Sequence, residues 1–302
     1  MSVSDFEAYV AQGGKVDAMD EMPDEYRQAL LKTISFQALA EVVGAQVFAE
    51  WLPKAPTFLR KMIYTAKIQD EIGHGHVLMR VCEDLGKSRY EIMEDYFSGR
   101  LKLLSVFHYR IEDWLHFPVV SLISNTAAIT QFDSLDHGSY LPYDRALKKI
   151  SKEESFHYHQ ALDLSRTILR FGTDEERKRL NEGLNIWWPR VLGYFGPSDD
   201  SYYRETRSYK YHIKVDSNDT IRQRWIDRIV SVLKRLGLTV DDPLLRKDEQ
   251  TGRWSYTPPD WEEWKNVSNG HGPFSEYWLQ KTKEEYYKHE WVRKLLEEKQ
   301  AA

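Results

Sequence analysis

The sequence predicts an all-α protein: a ferritin-like four-helix bundle with additional helices and an irregular C-terminal extension. Two copies of one pattern predict it first. Glu71-Ile72-Gly73-His74 and Glu154-Ser155-Phe156-His157 each set a carboxylate and an imidazole three residues apart. On a helix, residues at that spacing share a face, one turn above the other. The second observation lies upstream of each copy. Glu41 precedes Glu71 by 30 residues and Asn125 precedes Glu154 by 29, and both interrupt an otherwise apolar helical stripe. The third is the punctuation by Pro, Gly and capping residues, which cuts the chain into helical lengths at these places. A bundle that holds two metal ions needs this layout: one carboxylate from each of two helices and a Glu-x-x-His from each of the other two.

Taken in order, residues 1–22 read as a flexible N-terminal arm. Residues 23–196 read as the bundle, and residues 197–302 as an extension packed on it. Pro23-Asp24-Glu25 opens the first long helix with acidic residues in its first turn, which suits the helix dipole. Its stripe is Ile34, Ala38, Glu41, Ala45, Phe48, Leu52, and Pro53 and Pro56 stop it. The second helix spans Thr57 to Leu85, with Tyr64, Lys67, Glu71, His74, Leu78 and Val81 on one face, and Gly86 ends it. Ser88 and Glu91 form a capping box for a further helix. Residues 101–116 read as a helix linking the two halves. Pro118 starts the third bundle helix, with a stripe of Leu122, Asn125, Ile129, Phe132. The fourth follows Pro142, carries Leu147, Ile150, Glu154, His157, Ala161 and Leu164, and stops at Gly172. Thr173 and Glu176 make a second capping box, opening a helix that Pro189 kinks or ends. Beyond Gly196-Pro197 the pattern breaks, leaving helices near 218–237 and 275–299 with an Asp-, Pro-, Gly- and Trp-rich stretch between.

Composition limits the function classes. Of 302 residues, 41% are hydrophobic and 13% aromatic, which describes an ordinary globular chain with an aromatic-rich interior. A net charge of −5 argues against a nucleic-acid binder. No apolar run approaches the roughly 20 residues of a membrane span. Cys82 is the single cysteine, which excludes a disulfide framework and a thiolate metal site, and a reducing cytoplasm is the simplest location.

The chemistry follows from the stripes. An ionised carboxylate on an apolar helix face must be paired or metal-bound. Glu41, Glu71, Glu154, His74 and His157 all align with Leu, Ile and Phe, and two divalent irons would compensate their convergence. Imidazole and carboxylate ligands suit iron and leave positions open for oxygen. Asp70 is placed to orient a ligand histidine. Glu153, rotated about 100° from Glu154 on the helix, reads as a surface charge. His76 and His159 point away from the ligand face, and the remaining histidines have no legible partner spacing.

These residues resemble the catalytic components of bacterial ring 1,2-phenylacetyl-CoA epoxidases, a family of multicomponent ferritin-like diiron monooxygenases. The resemblance rests on Ala66-Lys67-Ile68-Gln69-Asp70-Glu71-Ile72-Gly73-His74-Gly75, Lys152-Glu153-Glu154-Ser155-Phe156-His157, Trp187-Trp188-Pro189, Phe195-Gly196-Pro197-Ser198-Asp199-Asp200 and Trp291-Val292-Arg293. It runs from about Met22 to Arg293. It implies epoxidation of the aromatic ring of phenylacetyl-CoA in phenylacetate catabolism, with O2 and with electrons from an NADPH-dependent reductase that carries FAD and an iron–sulfur cluster. It also implies two further partners: a metal-free ferritin-like second subunit, together with a small bridging subunit. Carried over by position, the ligands of two Fe ions are Glu41, Glu71, His74, Asn125, Glu154 and His157, with Glu41, Glu71 and Glu154 catalytic. By the same resemblance, Lys67, Lys214 and Asn218 bind the CoA moiety of the substrate.

Asn125 departs from that family, which has Asp at this place. An amide oxygen brings no charge, so the second iron position is expected to bind metal less tightly. Asp133 and Asp136 lie too far round or along the helix to substitute. Two other readings stand beside the epoxidase: a metal-poor, non-catalytic subunit of the same kind of complex, and a diiron oxidase of another class or acting on another acyl-CoA.

Overall fold

In the computed structural model, residues 2–135, 137–199 and 206–301 are described, the last five by backbone alone. Asp136 and Asp200 therefore lie outside the described residues. The four bundle helices are α2 (Asp24–Ala49), α3 (Phe58–Asp84), α5 (Phe117–Leu135) and α6 (Leu141–Phe171). Their ends lie where the sequence puts them, for local reasons. The Thr57 hydroxyl caps α3, Pro142 sits in the first turn of α6, and Gly86 after α3 takes a φ of 90°. Both capping boxes form, starting α4 (Arg89–Phe97) and α7 (Asp174–Leu192). Helix α7 runs on through Pro189 for a further turn.

Helices α2 and α3 pack as one pair, α5 and α6 as the other, and α3 faces α6. The first pair is held close by Gly75. A Cβ there would meet Val42 Cγ2 at 2.7 Å and the Ala38 carbonyl oxygen at 3.3 Å, so only glycine allows the approach. That approach is what sets Glu41 of α2 beside His74 of α3.

Two apolar clusters fill the bundle. One gathers Leu30, Ile34 and Leu39 of α2, Leu78 and Cys82 of α3, and Leu147 and Ile150 of α6. The other gathers Val119, Leu122 and Ile123 of α5, Ala161 and Leu164 of α6, and Leu184, Trp187 and Trp188 of α7. On α3 and α6 the Glu-x-x-His segments fall between the stretches that serve each cluster, so the polar layer is closed off from both ends.

Three sequence expectations are corrected. The stretch 1–22 is no arm among its described residues: α1 (Val3–Ala11) buries Phe6 and Val10. Phe6 packs on Tyr26 at 4.9 Å between ring centroids, and Val16 bridges to Tyr140 through Val16 N to Ser139 O and Leu141 N to Val16 O, both 2.9 Å. Acidic, sparse sequence hides two apolar anchors one turn apart. The segment 101–116 holds one 3-10 turn at Ser105–His108 rather than a helix. Its apolar residues, among them Leu104, Val106 and Ile111, point individually into the core. The helix expected at 275–299 is two, α11 (Ser275–Lys288) and α12 (Glu290–Ala301).

Beyond α7 come α8 (Arg207–Lys210), α9 (Asn218–Leu236), a two-stranded hairpin of β1 (Arg246–Lys247) with β2 (Trp254–Ser255), and α10 (Trp261–Asn266). Helix α9 is amphipathic, and its Trp225, Ile226, Ile229 and Leu233 belong to the same core as α5 and α7. Trp225 lies 5.0 Å from the Trp188 ring and donates its indole N–H to the Ile123 carbonyl at 3.1 Å. The start of the extension is thus structural core, not an appendage.

Phe6→Ala is expected to destabilise the protein by about 3 kcal/mol, measured as a fall in the denaturant midpoint. A change within ~0.5 kcal/mol would mean that the N-terminal helix contributes nothing to the fold.

Candidate metal centre

Between the two apolar clusters, Glu41, Glu71, His74 and Glu154 converge, each buried, with one ligand atom apiece all within 4.8 Å of one another. Each comes from a helix face laid down by the local sequence: Glu41 from α2, Glu71 and His74 one turn apart on α3, Glu154 from α6. His157, one turn after Glu154, completes the layer. Its Nδ1 lies 3.2 Å from Glu154 Oε1 and 3.6 Å from Glu71 Oε1. His74 Nδ1 lies 3.6 Å from both Glu41 Oε2 and Glu154 Oε1. Glu154 Oε1 is therefore shared between the two imidazoles, whose ring centroids are 6.0 Å apart.

The histidines are oriented crosswise. Glu153, the neighbour of Glu154 on α6, takes a hydrogen bond from His74 Nε2 of α3 at 2.9 Å. Asp70, the neighbour of Glu71 on α3, takes one from His157 Nε2 of α6 at 3.2 Å. Each carboxylate fixes the tautomer and turns Nδ1 inward. The Asp70 contact matches the role read from its position. Glu153 does not match the surface role: 100° of rotation on α6 points it at the facing helix. The signal that was available is its equivalence to Asp70, just before the other Glu-x-x-His.

A family model described as "Phenylacetic acid catabolic protein" matches residues 2–291. The chain belongs to this family. It is also 37% identical, over 95% of its length and 93% of the relative's, to the A component of the 1,2-phenylacetyl-CoA epoxidase of Escherichia coli (strain K12).

The cluster fits a metal on grounds of its own geometry. The Nδ1 atoms of His74 and His157 and Glu154 Oε2 are buried and lack a hydrogen-bond partner among the described residues. Buried polar atoms of this kind are costly unless something binds them. The charges of the cluster show the same tension. Burial pushes the Glu41 carboxyl up, to about 8. Burial opposes a charge on His74, but Glu41, Glu71 and Glu154 around it win and raise it to about 9. Protons thus stand in for the positive charge of a metal.

Asn125 and Lys67 define the other half. The Lys67 ammonium donates to Glu71 Oε1 at 2.5 Å and to Asn125 Oδ1 at 3.3 Å, and lies 4.2 Å above the Phe48 ring. Lys67 has only donors, so the Asn125 amide turns its oxygen toward it and leaves Nδ2 buried without a partner among the described residues. Burial works against the Glu71 charge, yet the Lys67 and His157 charges hold its carboxyl well below the usual range.

The resemblance names Lys67 for the CoA moiety; the structure sets its ammonium on Glu71 and Asn125. It faces the cluster and is absent from the walls of the outer cavity, whereas Lys214 lines that cavity. Lys214 and Asn218 do come together. Lys214 Nζ donates to Asn218 Oδ1 at 2.5 Å, and Asn218 Nδ2 donates to the Pro197 carbonyl at 2.9 Å. Asn218 sits behind Lys214 rather than on the wall.

Among the described residues, two of the cavities that touch the cluster share a wall. The inner, about 90 Å³, is walled by Phe48, Val106, Phe107, Val120 and Trp187 and touches Glu41, Glu71, Asn125 and Glu154. The outer, about 630 Å³, opens among Lys32, Lys102, Lys214 and Lys265 and narrows toward Phe36, Gln37 and Tyr143. Ala40, Glu41, Leu104 and Tyr194 belong to both walls. Tyr194 rides on the turn after α7, which the Trp264 indole N–H of α10 grips at the Gly193 carbonyl, 2.8 Å away. The Cβ that Gly193 lacks would meet Trp264 Cδ1 at 2.7 Å. The extension thus builds one side of the cavity, and nothing in the Trp-rich stretch announces that in sequence.

Glu153→Ala is expected to weaken divalent-metal binding about 10- to 100-fold while leaving thermal stability nearly unchanged. Equal metal affinity in the variant, by competition against a chelating dye, would exclude the orienting role.

Proposed function

We propose that this chain is the catalytic subunit of a diiron monooxygenase that epoxidises the aromatic ring of phenylacetyl-CoA. The observation that carries the reading is the order of compartments: a lysine-rimmed cavity, then an apolar chamber, then a buried Glu/His cluster. That order matches an acyl-CoA in three parts, a polyphosphate head, a pantetheine arm and an apolar acyl end. The activity for which the 37%-identical relative is named supports the same reading.

In this reading Glu41, Glu71, His74, Glu154 and His157 hold two irons, and Asn125 lies at the second position. The irons, when bound, supply oxygen activation. The chain's residues do the rest. Glu153 and Asp70 hold the imidazoles in register. The apolar wall of the inner cavity excludes water and fixes the ring beside Glu41 and Glu154. Lys214, and with it Lys32, Lys102 and Lys265, attract the phosphates as point charges. Electrons come from a separate reductase with FAD and an iron–sulfur cluster. A metal-free ferritin-like second subunit, with a small bridging subunit, completes the assembly. Exposed Phe58, Leu59 and Met62 on α3, and Trp291, Leu295 and Leu296 on α12, support a partner-bound state. No helix among the described residues is long and apolar enough to cross a membrane.

Lys67 competes with the second iron. Its ammonium already neutralises Glu71, and Asn125 lacks the charge that would retain a metal against it. Lys67→Met is expected to strengthen the second of two iron-binding steps by at least about tenfold, read by titration of the metal-free chain, with the first step little changed. Unchanged stepwise affinities would exclude the competition.

Lys214 gives a pH signature. Burial depresses its ammonium to about 8. It is charged below that value and neutral above, so acyl-CoA affinity is expected to fall as pH rises from about 7 to about 9. Lys214→Met flattens the slope; a slope that persists in the variant would remove Lys214 from phosphate binding. The direct test of function is epoxide formation from phenylacetyl-CoA by the iron-loaded chain with its partner subunits. No product under those conditions would sink the proposal.

A further inference from the structure

The outer cavity holds a polar pair that neither the metal cluster nor the lysine rim uses. Gln37 of α2 and Tyr143 of α6 both line it. The Tyr143 hydroxyl donates to Gln37 Oε1. Tyr143 is fully buried, burial holds the proton on its phenol, and that O–H lies on the amide oxygen. The Gln37 amide is thereby locked with Nε2 turned the other way. Nε2 is buried and has no hydrogen-bond partner among the described residues. A buried amide N–H without an acceptor is unfavourable, and a bound acceptor would relieve it.

The position of Gln37 says which acceptor. Gln37 is four residues before Glu41 on α2, on the same face, about 6 Å back along the axis toward the lysine rim. Resting on the acyl-CoA reading above, a substrate whose ring lies at Glu41 has its thioester carbonyl one methylene from the ring, on the rim side. Epoxidation at ring carbons 1 and 2 takes place at the end of the ring nearest that carbonyl, so the depth of the carbonyl sets the depth of the reacting bond. We propose that the Gln37 carboxamide, oriented by Tyr143, donates a hydrogen bond to the thioester carbonyl oxygen of the acyl-CoA and so fixes how far the ring reaches toward the metal centre. Gln37 is a positioning residue and Tyr143 holds it in one orientation. The pair also selects for a carbonyl: a site with a committed donor rejects an analogue that lacks the acceptor.

The test pairs a change in the protein with a change in the ligand. Binding to the chain in complex with its partner subunits is measured by calorimetry for phenylacetyl-CoA and for its thioether analogue, 2-phenylethyl-CoA, which keeps the ring and the CoA but has no carbonyl. The wild type is expected to prefer the thioester by about tenfold, and Gln37→Leu and Gln37→Met to abolish that preference by weakening the thioester alone. Tyr143→Phe frees the amide and is expected to reduce the preference about two- to threefold. In turnover, the Gln37 variants are expected to form less epoxide per O2 consumed, because the ring is no longer held at one depth. Folding is checked by thermal melts, and either apolar variant suffices for the comparison. If both variants keep the wild-type preference, or lose thioester and thioether equally, the carbonyl contact is overturned while the acyl-CoA reading stands. If the wild type binds neither ligand, the acyl-CoA reading falls and takes this assignment with it.

Discussion

Three carboxylates and two imidazoles share the bundle interior with one lysine, and the need to balance their charge shapes the rest of the molecule. An unpaired carboxylate at this depth would cost several kcal/mol. The chain's own groups meet the demand in two ways. Lys67 pairs with Glu71, and protons remain on Glu41 and His74 above the pH at which either would ordinarily lose one. A metal ion held by these residues would replace those protons. The arrangement is poised for a cation because, among the described residues, nothing else satisfies both histidine Nδ1 atoms.

The bundle geometry serves that balance. Glycine at position 75 brings α2 against α3, so that Glu41 and His74 meet. The crosswise contacts Asp70–His157 and Glu153–His74 tie α3 to α6 through the imidazoles. These four groups relate the two halves by an approximate twofold arrangement, and Asn125 breaks it. Its amide accepts from Lys67 where a carboxylate would have offered charge, so the two halves of the cluster differ in charge. The asymmetry is a property of two side chains 3.3 Å apart, not of the fold.

The outer parts of the chain wall the cavities beside the cluster. Helices α7 and α9 stack Trp188 on Trp225 and close the bundle side, and Trp264 of α10 grips the turn that carries Tyr194. Tyr194 and Glu41 then form a shared wall between the apolar chamber and the lysine-rimmed cavity. The extension contributes walls and a charged rim; the bundle contributes the floor. Neither alone encloses a ligand.

Periodicity and end signals made the bundle legible from sequence. The 30- and 29-residue offsets, the capping residues Thr57, Ser88 and Thr173, and the prolines and glycines between them are local, and local rules govern helix ends. The same periodicity placed Glu41, Glu71, His74, Glu154 and His157 on inward faces, because a side chain's azimuth on a helix depends only on its position. What sequence could not decide is which long side chain reaches which partner across space. Lys67 lies on the inward stripe, but only the packed bundle decides that its ammonium ends on Glu71 and Asn125. Glu153, one residue off the inward stripe, reads as a surface charge in sequence, yet in the packed bundle it meets His74 of α3. The N-terminal anchors Phe6 and Val10, the linker 101–116, and the cavity walls made by Trp264 and Tyr194 likewise depend on contacts between residues far apart in the chain. The sequence by itself determined the helices and their polar stripe. The tertiary structure determined the pairing of charges within that stripe and the shape of the space that leads to it, because both are set by distances between helices, on which a linear pattern is silent.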